Sequence, residues 1–129
     1  MGPNISCIKH KNCTHDKGRF HYVIGWEADE DGNVPVTMTP HIDGYMVHVV
    51  TKPGTPAPKS GYGITLKDAC GVDTMNGSMA SLSNSSDEQF VPSIAGKKGN
   101  RMVQGQLTFE LSGNTNAGAK GKCIIFIQE

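Results

Sequence analysis

Long hydrophobic runs and an excess of charge of either sign are both missing from this sequence. No stretch reaches the roughly 18 apolar residues of a transmembrane helix, which argues against a membrane-spanning protein. Lys and Arg together number 12, as do Asp and Glu, so the formal net charge at pH 7 is zero. Nucleic-acid-binding domains ordinarily have a basic balance and a basic face. We therefore expect neither a membrane nor a nucleic acid as a partner.

Cysteine is sparse as well. Cys7, Cys13, Cys70 and Cys123 are too few and too scattered for a disulfide scaffold. The opening residues, MGPNISCIKHKNC, contain no apolar stretch of the kind found in signal peptides, so we expect the protein to stay in the compartment where it is made. A chain of 129 residues buries roughly two thirds of its unfolded surface, so it needs neither a disulfide nor a metal to fold.

Short segments with period-two alternation make up most of what is present. They lie at 20–27, 44–51, 62–67, 103–111 and 122–128, and glycine, proline and other turn residues separate them. Residues 75–90 could be helical, but their Gly, Ser and Asn content favours an irregular segment. The pattern predicts an all-β protein, a single antiparallel β-sandwich of jelly-roll or Ig-like type.

The alternation also predicts which side chains form the core. We expect one shared core that contains Trp26, Tyr45, Ile64, Leu107, Phe109 and Ile125. Gln104, Gln106 and Glu110 alternate with the apolar residues of their strand and should face solvent.

The segment 51–62, TKPGTPAPKSGY, could be a flexible linker between two domains or a rigid corner inside one. A linker would leave a fragment of about 50 residues with two or three strands, too few to bury a core. We therefore predict a crossover corner, held by Pro53, Pro56 and Pro58, within one domain.

Residues 1–19 differ from the rest because they show little alternation. We predict an extended N-terminal arm at 1–19, followed by a β-sandwich domain at 20–129. Fixing a residue costs about 1–2 kcal/mol of backbone entropy, so the arm should take its order from another subunit, with Ile5 and Ile8 as apolar anchors.

Four potential zinc ligands, Cys7, His10, Cys13 and His15, fall within nine residues of this arm. Closed zinc sites usually combine two ligand pairs that are far apart in sequence, so that the chain can wrap the ion. Four ligands this close strain that geometry. Zinc binding, a disulfide between Cys7 and Cys13 or between subunits, and a polar arm with incidental cysteines all remain open.

Two groups of acidic residues have a possible chemical role and a simpler structural one. Asp29, Asp31 and Asn33 resemble part of a calcium loop, but the glutamate and helices of an EF-hand are missing. Asp68 and Asp73 could hold calcium or act in acid–base catalysis. A turn explains both groups better, because Asp and Asn side chains readily bond to the backbone nearby.

Nucleophilic catalysis would need Cys70 to meet His41 or His48, and no catalytic motif surrounds that cysteine. His48, on an apolar strand, fits better as a core or interface residue. No phosphate-binding or dinucleotide-binding motif is present. We predict no catalytic residue, no cofactor and no metal site, so the protein should not be an enzyme.

One long stretch of the sequence indicates a class of protein more specifically than composition does. GYMVHVVTKPGTPAPKSGYGITLKDACGVDTMNGSMA, followed by QGQLTFELSGNTNAGAKGKCIIFI, resembles a widespread group of small virion proteins of tailed bacteriophages. The resemblance covers roughly Gly44 to Ile127 and leaves out the arm before Phe20. The positions that fit its turns and strands are Thr51, Pro53, Gly54, Pro58, Tyr62, Ile64, Leu66, Asp68, Gly71, Asp73 and Gly77.

The resemblance implies a structural role in the virion without catalysis. Within that group we expect a capsid decoration (cement) protein, which binds the assembled major capsid protein and stabilises its lattice. It would act as a homo-oligomer, with a trimer expected, on the capsid surface of a virion assembled in the host cytoplasm. The alternatives are a neck or tail (connector) component and, from another class, an intracellular ligand-binding or metal-binding β-sandwich module.

Overall fold

A computed structural model describes residues 4–11 and 19–129, and all regular secondary structure in these ranges is β-strand. The strands are β1 (Asn4–Lys11), β2 (Arg19–Glu27), β3 (Thr37–Met38), β4 (Ile42–Pro53), β5 (Gly63–Lys67), β6 (Glu88–Phe90), β7 (Ser93–Ile94), β8 (Lys97–Lys98), β9 (Arg101–Gly105), β10 (Thr108–Ser112) and β11 (Lys120–Gln128). Within these ranges, no helix has the length and apolar character needed to cross a membrane.

Two antiparallel sheets carry the fold. The larger sheet has the order β1-β2-β11-β4, and both β6 and β9 pair with the remaining edge of β4. The smaller sheet has the order β3-β10-β5, and β7 and β8 form a separate short hairpin. The prediction of an all-β, antiparallel sandwich is therefore confirmed.

A single apolar core lies between the two sheets. From the larger sheet, β2 and β11 each bury every second side chain, as a strand with one solvent-facing side must. Ile64 and Phe109, from the smaller sheet, are 2% and 0% exposed. Trp26, Leu107 and Ile125 are also buried, as the alternation predicts.

The long strand β4 contains a bulge near its middle. On β11, Phe126 pairs with His48. The next residue, Ile127, pairs with Met46, so Val47 is the extra residue. An extra residue reverses the face that the following side chains take, because the side-chain period of a strand is two.

This bulge overturns the prediction that Tyr45 belongs to the core. Regular alternation would place Tyr45 and Val49 on one face. In the structure Met46 and Val49 are fully buried, while Tyr45 is 45% exposed. Tyr45 therefore lies on the outer face of the larger sheet.

The proline-rich segment 54–62 carries the chain from β4 in the larger sheet to β5 in the smaller one. Its backbone is fastened to β11. Gly54 N–H donates to the Lys120 carbonyl, and Lys120 N–H donates to the Pro56 carbonyl, both at 2.8 Å. Buried residues from both sides of the segment belong to one core cluster. The segment is a crossover corner, as predicted.

The irregular segment 73–82 closes the core along the outer edge of β5. Met75, Met79 and Leu82 are almost completely buried. The Ile64 amide donates to the Met79 carbonyl at 2.9 Å, and the Leu82 amide donates to the Tyr62 carbonyl at 2.7 Å. Its irregular form agrees with the sequence-based prediction, but its contribution to the core has no periodic signal in the sequence.

Part of the predicted arm is a strand of the sheet. Residues 4–11 form β1, which pairs with β2 along its whole length, from Asn4 opposite Glu27 to Lys11 opposite Phe20. Ile5 and Cys7 are half-buried and pack against the core. The expectation that these residues take their order only from another subunit is therefore wrong. An edge strand needs apolar contacts on one face alone, and its hydrogen bonds to β2 supply further order.

Candidate functional site

The carboxylate of Asp68 organises the turn that follows β5. Its Oδ1 accepts the amide N–H groups of Cys70 at 2.9 Å and Val72 at 3.1 Å. Its Oδ2 forms an ion pair with Arg101 at 3.0 Å. Burial alone would raise the pKa of Asp68, but the hydrogen bonds from Val72 and Cys70 and the pair with Arg101 hold it below its ordinary value. These contacts give Asp68 a structural role.

Asp73 braces the next turn in the same way. It accepts amide N–H groups from Leu66 and Met75, both at 3.2 Å, and from Gly77 at 2.9 Å. Both oxygens of Asp73 are thereby engaged by backbone donors. The arrangement matches the turn interpretation of this acidic group.

The loop at Asp29, Asp31 and Asn33 is also a turn, as the sequence favours. Oδ1 of Asp29 accepts the amide N–H groups of Asp31 and Asn33, both at 2.9 Å. In the described part of the chain, no three or more His, Cys, Asp and Glu side chains come together as a metal site would require. Among the four candidate zinc ligands, Cys7 is a free, half-buried thiol on β1. The His10 side chain, Cys13 and His15 lie outside the described residues.

The three described cysteines occupy different environments. Cys123 is fully buried on the inner face of β11, and burial, with a smaller effect of Cys7, raises its pKa to about 12. Burial also raises the pKa of Cys7. Both groups are therefore thiols at neutral pH, which is the unreactive form. Cys70 is exposed in the turn braced by Asp68, whereas His48 contacts Phe126 on β11. The structure does not pair Cys70 with His48.

The outer face of the larger sheet carries a continuous apolar row. Register places Ile8 opposite Val23, Val23 opposite Ile124, and Ile124 opposite Val50. These four residues therefore lie side by side on β1, β2, β11 and β4. Val23, Ile124 and Val50 are half-buried by their neighbours, and Ile8 is 52% exposed. Cross-strand neighbours of this kind form one contiguous surface.

An aromatic row runs beside the apolar one. Phe126 lies directly opposite His21 on β2 and His48 on β4. The ring of His48 stacks on Phe126, with centroids 4.1 Å apart and planes 12° from parallel, and His21 contacts Phe126 at 5.5 Å. Partial burial lowers the pKa of His48. A neutral imidazole at this position extends the apolar surface.

We call these two rows the outer-face patch. Its members are Ile8, His21, Val23, His48, Val50, Ile124 and Phe126. The smaller sheet packs against the inner face of the larger sheet, where the core lies. No described strand packs over the outer face.

Charged residues surround an open cleft of about 590 Å³ at one side of the patch. Its floor includes Gly25, which lies opposite Lys122, and its walls carry two ion pairs. Lys52 pairs with Asp87 at 2.8 Å, and Lys120 lies 3.9 Å from Glu27. On this side, the apolar patch is therefore bordered by charges of both signs.

The sequence contained a signal for this surface, although period-two reasoning assigns only the inner face. The stretches GYMVHVV and CIIFI are apolar at odd and even positions alike. Two apolar faces indicate a strand that is covered on both sides. In this structure the second cover is missing from the described chain.

Comparison of this chain with models of protein families, with curated proteins and with solved structures finds no match.

Proposed function

We propose that this protein is a non-enzymatic structural component of a tailed-bacteriophage virion, a decoration protein that binds the assembled major capsid protein through its outer-face patch. The observation that carries the proposal is the patch itself. Isolated exposed apolar residues are ordinary, but contiguous apolar surface bordered by polar groups is typical of an interaction site.

The rest of the described chain suits binding better than chemistry. The carboxylates of Asp29, Asp68 and Asp73 accept backbone N–H groups, Asp68 also pairs with Arg101, and the buried thiols are protonated. A two-sheet sandwich with a single core is a rigid body, which binds a surface by shape without a large ordering cost. With no net charge, its attachment should depend on contact area more than on long-range attraction.

A decoration protein must have a higher affinity for the assembled lattice than for free capsid subunits. A protein that binds the assembled lattice more tightly than free capsid subunits shifts the equilibrium towards the assembled shell. Many weak contacts repeated over a lattice suffice for this effect. A small homo-oligomer with an exposed apolar face is suited to making them.

The test is co-sedimentation of the purified protein with undecorated heads, built from the major capsid protein encoded with it. Val50→Lys places a charge at the β4 end of the apolar row, beside Ile124. Met38→Lys places the same charge at an exposed apolar position of the smaller sheet, 51% exposed, and is the matched control.

We expect Val50→Lys to bind heads at least about ten-fold more weakly than the wild type, and Met38→Lys to bind as the wild type does. Far-UV circular dichroism checks that both variants keep the fold. Wild-type protein that fails to bind heads would overturn the proposal, as would undiminished binding by Val50→Lys. Binding to isolated necks or tails in place of heads would assign the protein to the connector.

A further inference from the structure

We infer that two copies of this chain join through the free edges of their β1 strands, with a two-fold axis at Ile8. The inference rests on the homo-oligomeric part of the proposed function. It names the contact and its symmetry, and it replaces the expected trimer with a two-fold dimer. It is argued from the sheet edges, the strand register and the exposure of Ile8.

Most sheet edges in the described chain are short or covered. The far edge of β4 is occupied by β6 and β9. In the smaller sheet, β3 has two residues, and the outer edge of β5 is bonded by the segment 73–82. β1 is different, because it has eight residues, against five in β9 and three in β6, and among the described strands it pairs with β2 alone.

An edge of this length is a template for another strand. In an antiparallel pair, alternate residues direct their N–H and C=O groups away from the partner strand. β1 therefore presents a series of backbone donors and acceptors along its outer side. Such edges are sites of β-strand addition unless something blocks them.

The position of Ile8 indicates that the added strand belongs to a second copy. Ile8 ends the apolar row and is 52% exposed at the sheet edge. A two-fold axis through this residue would set Ile8 opposite Ile8 of the partner subunit. The row Val50–Ile124–Val23–Ile8 would then continue directly into its own symmetry mate.

Side-chain direction restricts the possible axes. Residues that pair in an antiparallel ladder share a face, so the axis must pass through a residue and not between two residues. An axis at Lys9 would pair two lysine positions directly, which is destabilising. An axis at Ile8 pairs position 9 with position 7 and position 11 with position 5, so no lysine position meets another.

The resulting dimer would present its two outer-face patches in an orientation suited to binding a lattice. A two-fold axis of this kind is perpendicular to the sheet, so both outer-face patches point to the same side. The second patch would then bind a lattice at high effective concentration once the first has bound.

Disulfide trapping tests the axis. In a background with Cys7, Cys13 and Cys70 changed to Ser, the buried Cys123 is retained. Ile8→Cys is introduced there and oxidised by air with copper phenanthroline. Ser6→Cys is the matched control, because it lies on the same strand and face. Its symmetry mate would be about 13 Å away, beyond the reach of a disulfide of roughly 7 Å between Cα atoms.

We expect Ile8→Cys to give a covalent dimer on a non-reducing gel and Ser6→Cys to stay monomeric there. Light scattering should give a dimer for the wild type and a monomer for Ile8→Lys, with the circular dichroism spectrum of both unchanged. Equal trapping of both cysteines would overturn the inference. So would trapping through Cys7 in a variant that keeps only Cys7 and Cys123, or a wild-type monomer or trimer. The proposed function fails separately, when wild-type protein of any oligomeric state does not bind heads.

Discussion

Met46 and Tyr45 are neighbours in β4, and the bulge decides which of them supports the fold. Met46 is fully buried, with the Thr74 hydroxyl 3.9 Å from its sulfur. Tyr45 is 45% exposed on the outer face. Each side chain can be truncated to alanine and the loss of stability compared. The bulge predicts the larger loss at Met46, whereas a regular strand would give the opposite ranking.

The magnitudes follow from burial. Truncation of a buried methionine to alanine costs about 2–5 kcal/mol, because transfer energy is lost and a cavity remains. Truncation of a side chain that stays near solvent costs about 1 kcal/mol or less. For a domain of this size each kcal/mol lowers the melting temperature by roughly 4 °C. We expect Met46→Ala to melt at least about 8 °C below the wild type and Tyr45→Ala within about 4 °C of it.

Thermal and urea denaturation, both followed by the fluorescence of Trp26, provide the assay. Trp26 is the single tryptophan of the chain and is 3% exposed, so its emission should change on unfolding. The slope of the unfolding free energy against urea concentration should be the same for all variants. The midpoints of the urea transitions then report differences in stability. A larger loss for Tyr45→Ala than for Met46→Ala would refute the bulge and restore regular alternation in β4.

Four further predictions concern two positions in or against the core, one turn and pH. Phe109→Ala should cost about 3–5 kcal/mol in urea denaturation, because Phe109 is fully buried, and a loss below about 1 kcal/mol would contradict its place in the core. Asp73→Ala should cost about 1–3 kcal/mol by leaving three backbone amides without their acceptor, and Asp73→Asn should recover part of this loss. Gly121→Ala should cost about 1–3 kcal/mol, because a Cβ there would lie 2.4 Å from Cζ2 of Trp26; an unchanged melting temperature would contradict that packing. Folding lowers the pKa of His48, so its contribution to stability is complete above its unfolded pKa of about 6.5 and is lost as pH falls towards the folded value. The wild type should therefore lose more stability between pH 7 and pH 5 than His48→Gln, and identical pH profiles would contradict this.

Strands with strict alternation were the predictable part of the fold. In β2 and β11 every second side chain is buried, and period-two reasoning assigns these faces correctly. The proline-rich corner was predictable for a different reason, because two small separate cores would not bury enough surface. Both arguments rest on properties that are local in sequence or follow from chain length.

Features that depend on tertiary contacts were not predictable. The bulge at Val47 leaves no mark in the alternation of GYMVHVV, where either face could be the buried one. Met75 and Met79 fill the core from an irregular segment, because Asp73 and the edge of β5 hold its backbone in place. The sequence predicts an arm where β1 lies, because an edge strand needs only Ile5 and Cys7 on its inner face. The outer-face patch emerged only when register brought residues from four strands together.

The placement of β11 determines when the larger sheet can fold relative to synthesis of the chain. β11 follows all the other described strands in sequence, yet it lies in the middle of the larger sheet, between β2 and β4. Until the ribosome has released it, β2 and β4 have no strand between them, and each exposes an edge of unpaired backbone N–H and C=O groups that can pair with other nascent chains. The sheet must therefore form after synthesis of residues 120–128, through contacts distant in sequence, which makes folding slow compared with that of a helical protein of equal length. High-level synthesis should accordingly favour aggregation when β11 is delayed or shortened, even though the completed fold protects the same edges.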